Sequence, residues 1–133
     1  MILIDLSGVP VSWKAHAGYG KRSFNPRFVE REAYQWQIKS QYNQLNPLRG
    51  PVRTHYTFHM PIPKTTSKIR RFQMLNGVMY HLKRPDVTNL IKFYEDCLKG
   101  IVFEDDSQVV EINAHKIYDE RPRVVIKVEA ICH

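Results

Sequence analysis

Cysteine is scarce: Cys97 and Cys132 are the only two in 133 residues, and they stand far apart. They do not complete a usual zinc constellation, and they do not frame a small secreted domain. With free thiols and no secretion signal, the sequence points to a reducing cytoplasm. Cys97 is expected to be a core residue of a helix. No run of about 18 apolar residues occurs, so no segment reads as a membrane span. The opening MILIDLSGVP is apolar but lacks the basic lead and small-residue cleavage site of a signal peptide, and it reads as a first strand. Internal repeats and low-complexity tracts are absent as well.

The most informative absence concerns charge of one sign. Residues 33–85 contain no Asp or Glu, while they carry Lys39, Arg49, Arg53, Lys64, Lys68, Arg70, Arg71, Lys83 and Arg84. Seven of the thirteen acidic residues then fall between Asp86 and Glu111. A basic surface attracts a polyanion and displaces its counterions. An acidic pocket beside it repels that polyanion unless a cation sits there. The formal net charge of +7 suits a nucleic-acid partner, although charge alone does not separate this from a solvated basic face.

The length suits one domain spanning residues 1–133. Strands are expected at 2–6, 52–60, 109–118 and 123–131, from period-two alternation. Asn25-Pro26 opens a helix predicted to run to about Leu45, with Val29, Ala33, Tyr34, Trp36, Ile38 and Leu45 as a broad apolar stripe. Thr65, Thr66 or Ser67 caps a short helix through Leu75, and Asn76-Gly77 turns the chain. Val78 to Leu82 should then run extended, and Asp119-Glu120-Arg121-Pro122 suits a hairpin between the last two strands. The loop from Val9 to Ser23 carries Trp13, Lys14, His16, Lys21 and Arg22, a mix able to stack on bases and hold phosphates, or to form a plain basic loop. The sum is a single α+β domain with helices on a largely antiparallel mixed sheet.

The chemistry concentrates in residues 83–109, KRPDVTNLIKFYEDCLKGIVFEDDSQV. Pro85 drives Arg84 out of helical angles, so Asp86 sits in extended chain ahead of a helix. Leu90, Phe93, Tyr94, Cys97 and Leu98 share one helical face, and Lys92, Glu95, Asp96 and Lys99 the other. Thr88 or Asn89 is expected to cap the start and Gly100 the end. The expectation is that Asp86 and Asp106 fold back together around a divalent cation. Two carboxylates about 4 Å apart repel by roughly 4 kcal/mol at an effective dielectric of 20, so a cation is needed to keep both ionised. Magnesium favours one or two carboxylates, several waters and a substrate phosphate. Lys92, about one turn into the helix, would steady a phosphate oxygen. Taken singly, Lys92 pairing with Asp96 and Asp105-Asp106 in a turn are the better readings, and only the ordered set favours catalysis.

In order and spacing, Arg84-Pro85-Asp86-Val87-Thr88-Asn89-Leu90, then Lys92, then Asp105-Asp106-Ser107-Gln108-Val109 resembles the RusA family of Holliday junction resolvases, common in bacteria and their phages. The resemblance implies a homodimeric, magnesium-dependent endonuclease, with manganese a substitute, that nicks four-way DNA junctions in pairs during recombination and repair, in the cytoplasm of a bacterium or phage-infected host. It implies Asp86, Lys92 and Asp106 as catalytic residues, with Asp86 and Asp106 toward the metal, where Asp105, or else Asp96 or Glu95, would stand in for a further carboxylate. Lys68, Arg70, Arg71, Lys83, Arg84 and Lys14 are the candidates for gripping branched DNA. Thr88 departs from the pattern, where the family typically has a further aspartate. A neutral hydroxyl is a weak ligand for a hard cation, so a branched nucleic-acid-binding protein that no longer cuts is the alternative.

Overall fold

The sheet is built around its most buried strand, β2 (Val52–Pro61). Val52, Thr54, Tyr56 and Phe58 are fully buried and Met60 nearly so, which makes a solvent-facing edge position costly. In this computed structural model, which describes residues 1–15, 18 and 25–132, β2 takes an interior place. His16, Lys21 and Arg22 lie outside the described residues. The strand order is β1-β4-β2-β3, with β1 (Ile2–Ser7), β3 (Val109–Asp119) and β4 (Arg123–Ala130) completing the sheet.

β4 pairs antiparallel with both β1 and β2, and β3 pairs parallel with β2. The expected hairpin between the last two strands therefore does not form: β2 lies between them, and residues 120–122 pass round its end. The reason is burial. Val124, Ile126 and Val128 of β4 are fully buried, whereas Val110, Ile112 and Ile117 of β3 remain largely exposed. The more polar strand goes to the edge, where fewer apolar groups need cover.

The helices α1 (Phe28–Tyr42), α2 (Lys68–Leu75) and α3 (Val87–Leu98) cover the sheet. The predicted face of α3 is the buried one: Leu90, Phe93, Tyr94, Cys97 and Leu98 all lie in the core. Each such side chain contributes roughly 1.5–3 kcal/mol by leaving water. Tyr34 of α1 meets Phe93 and Tyr94 edge-on, at 5.9 and 5.5 Å between centroids.

The first helix is shorter and narrower in its burial than its sequence pattern predicts. Asn25 and Pro26 sit in a turn before it, and Asn43 in left-handed conformation (φ 50°) ends it. Its inward row is Tyr34, Ile38 and Tyr42, at four-residue spacing. Trp36 falls two positions off that row and is 72% exposed; Leu45, beyond the helix, is 96% exposed. α2 starts where expected, the Ser67 hydroxyl accepting a bond from the Arg70 N–H at 3.3 Å. Val78 to Leu82 forms no strand.

Candidate functional site

The turn ahead of α3 sets the site. The Arg84–Pro85 peptide is cis, and Asp86 follows at the extended N-cap position of α3. Neither Thr88 nor Asn89 caps the helix. Both side chains instead reach back: the Thr88 hydroxyl donates to one Asp86 oxygen and the Asn89 amide to the other, each at 3.1 Å. The Asp86 carboxyl is held below the usual carboxylate range, first by its own backbone N–H and then by the Thr88 hydroxyl. An exposed carboxylate is thus kept ionised and aimed, with Arg84 adding a smaller push in the same direction.

Around it lies an open groove of about 740 Å³, walled by Ser12, Lys83, Arg84, Asn89 and Lys116 as well as Asp86. Lys116 comes from β3. Its ammonium donates to the carbonyls of Lys83 at 2.9 Å and Pro85 at 3.0 Å, tying the turn to the sheet. Burial lowers its pKa, partly offset by Asp86. A second cavity of about 430 Å³ shares Lys83 and adds Arg70 of α2 and Tyr118, so the basic surface continues along α2. Lys68 and Arg70 are exposed there, while Arg71 is engaged with Glu120 at 2.7 Å. Lys14 is exposed next to Trp13.

Lys92 is not a wall of that groove. Its ammonium stands 3.9 Å from the centre of the Trp13 ring, a cation–π contact. Trp13 packs against the core and its backbone N–H donates to the Asn89 carbonyl at 2.9 Å. Its ring is engaged by Lys92 and the core.

The second acidic group lies beyond the other end of α3. Asp105 caps a short 3-10 helix, Asp106–Gln108, by accepting from the Ser107 N–H at 3.1 Å. The Gln108 side chain accepts from the N–H groups of Glu104 and Asp105, and donates to the carbonyls of Leu48 and Gly50. The Lys99 ammonium lies 3.3 Å from Asp105 and 4.0 Å from Asp106. The Ser107 bonds, then Lys99, bring the Asp105 carboxyl down to about 2. Glu95 and Asp96 are pushed up instead, chiefly by burial, with Asp106 adding repulsion to both. Gly100 has positive φ (82°), but Lys99 occupies the cap position in extended form.

Asp86 stands at the N-cap of α3, whereas Asp106 lies near Glu95 and Asp96 of its last turns, close enough to push both up. Among the described residues, no three or more His, Cys, Asp or Glu side chains are grouped to hold a metal ion. The sequence pattern located Asp86 but not its companions. Asn89 and Thr88 were legible as polar residues beside an N-terminus, without their direction. Lys116 lies more than thirty residues from the carbonyls it holds, and only the path of β3 beside residues 83–86 brings it there.

The Endodeoxyribonuclease RusA family model matches residues 20–129. The chain is also 31% identical, over 96 residues, to the Bacillus subtilis (strain 168) protein named Uncharacterized protein YqaN, covering 71% of this chain and 68% of that one. The family match spans α1 through β4, including the Asp86 groove and the acidic turn at its far side. This chain belongs to the RusA endodeoxyribonuclease family.

Proposed function

We propose that the protein is a structure-specific endonuclease that nicks four-way DNA junctions with the help of magnesium, manganese substituting. The family is one of nucleases acting on branched DNA and generally dependent on a divalent metal. The observation that carries the reading here is the Asp86 carboxylate, ionised and oriented inside a groove whose other charged walls are Lys83, Arg84 and Lys116. Among the described residues three cations surround this one carboxylate, which favours a phosphate, and the carboxylate retains lone pairs for a cation arriving with it.

That donor set fits magnesium in a particular way. The ion prefers one or two protein carboxylates, its own waters and substrate phosphate oxygens to an all-protein cage, and Asp86 supplies one such carboxylate in the groove. When bound, the metal lowers the pKa of a water and neutralises charge developing on the phosphate. Asp86 holds the ion's place, Thr88 and Asn89 fix the carboxylate, and Lys83 and Arg84 hold the DNA backbone. Lys92, steadied by Trp13, places positive charge one step along the helix for the phosphate's oxygens.

Asp106, with Asp105, joins this chemistry in our reading through a two-fold dimer. A closed dimer answers the two-fold symmetry of a junction with two opposed cuts. In this reading it also lets Asp106 of a second copy face Asp86, since within one chain Asp106 lies beside Glu95 and Asp96 of α3. Lys68, Arg70, Arg71 and Lys14 extend the grip to the arms.

A synthetic four-way junction tests the proposal. Wild type yields paired nicks with magnesium and none without a divalent ion, whereas Asp86→Asn binds and does not cut. A second reading, binding without cutting, is favoured by the Thr88 hydroxyl standing as a donor to Asp86 where the family usually has a carboxylate. Junction binding with no nicks in either magnesium or manganese selects it.

A further inference from the structure

Lys116 is absent from the catalytic pattern, yet it is the one groove residue supplied by the sheet. An ammonium has three N–H donors. Two are spent on the carbonyls of Lys83 and Pro85, at 2.9 and 3.0 Å. Among the described residues nothing takes the third, in a groove whose other charged described residues are Lys83, Arg84 and Asp86, with His81 also near enough to feel the Lys116 charge. Backbone carbonyls do not neutralise an ammonium. Its full charge stays beside Asp86, fixed to the very turn that presents Asp86.

We propose that Lys116 is a DNA-phosphate contact and a positioning residue of the Asp86 groove: two donors hold the turn at residues 83–85 and the third takes a backbone oxygen of the DNA. This deepens the nuclease reading and rests on its DNA partner, though not on cleavage. The arrangement suits such a task because the Lys side chain is pinned. A free surface lysine loses rotamer freedom on binding phosphate, whereas Lys116 is ordered before DNA arrives. An exposed flexible lysine on α2 lacks that advantage.

The two roles are separable by chemistry. Lys116→Gln keeps a donor for the carbonyls and removes the charge; Lys116→Arg keeps the charge. Junction affinity is measured against salt for wild type and both variants, together with thermal melting. Each phosphate contact contributes about 0.9 to the slope of log affinity on log salt for duplex DNA. The expected result is a slope lower by about 1 in Lys116→Gln, unchanged in Lys116→Arg, with both variants folded. An unaltered slope in a folded Lys116→Gln overturns the phosphate contact and leaves only a structural tie. If Lys116→Gln melts too low at the working temperature, the slopes of all three proteins are measured below its melting midpoint, where it is folded. Wild type that binds with a normal slope but never nicks removes the nuclease reading and leaves this inference standing. Wild type with no junction affinity at low salt removes both.

Discussion

The two ends of α3 make opposite use of carboxylates. At its start one acid, Asp86, stands among Lys83, Arg84 and Lys116, exposed and held ionised by Thr88 and Asn89. At its finish lie four acids, Glu95, Asp96, Asp105 and Asp106; Lys99 reaches Asp105 and Asp106, Arg31 offsets Asp96, and Glu95 and Asp96 are pushed toward protonation by burial and then by Asp106. The start has an excess of positive charge and suits an anion. The finish has an excess of negative charge and suits a cation. This complementarity is what the proposed two-fold dimer draws on.

The sharpest break of that comparison is a mixing experiment. Asp86→Asn and Asp106→Asn should each abolish nicking. If one site draws on both ends from the two subunits, a mixed dimer of the two dead chains contains one site with both acids intact. The expected outcome is recovery of single nicks, without paired resolution, when the variants are refolded together. Dead mixtures, with each variant still binding junctions, would mean that both acids serve from the same chain. Nicking undiminished in Asp106→Asn would confine the chemistry to the Asp86 end.

A smaller effect tests how the start of α3 is tuned. Thr88→Val removes one hydrogen bond to Asp86, worth about 1 kcal/mol, or roughly fivefold in rate. Its measure is single-turnover nicking at saturating enzyme. Thr88→Asp restores the more usual family carboxylate and should keep or raise activity, most visibly at low magnesium. A complete loss in Thr88→Asp would show that the position depends on donating to Asp86 and not on facing the metal. Trp13→Leu should weaken nicking less, by no more than about 0.5–1 kcal/mol of cation–π stabilisation for Lys92. Nuclear magnetic resonance of the Lys92 side chain provides an independent check, since removing the ring abolishes its ring-current shift.

What the sequence made legible follows its periodicities. The face of α3 was readable because five apolar residues repeat at helical spacing over a segment bounded by Pro85 and Gly100. The strands were readable for the same reason, at period two. Their pairing was not, because alternation reports which side chains are buried and carries no information on neighbours; β2 between β3 and β4 is a choice made by tertiary burial. Trp36 misled because apolar identity was weighed without its angle relative to Tyr34, Ile38 and Tyr42. At the site, Asp86 was legible from local chain logic, while its separation from Asp106 needed the direction in which α3 crosses the sheet. Lys116 had no local signal at all, since its partners are main-chain carbonyls of a distant turn.

The smallest expected effect concerns stability, and its sign distinguishes the two ends. Asp86 has a lowered pKa in the fold, so its contribution is present above its unfolded value and is lost as pH falls through its folded value. Glu95 and Asp96 have raised values. For them the folded state binds protons more readily than the unfolded one, so their charged forms weaken the fold at neutral pH and the penalty fades as acid protonates them. Asp106→Asn removes a negative neighbour from both. It gives up only the outer part of an exposed contact with Lys99 at 4.0 Å, which keeps Asp105 at 3.3 Å, and exposed pairs are worth little. The variant should therefore have a slightly higher urea midpoint than wild type at neutral pH, the difference shrinking as pH is lowered toward about 4. Asp86→Asn should show no such gain, because the charge it removes is one the fold stabilises. Equal shifts in both variants across that pH range would mean that the two ends of α3 do not differ electrostatically.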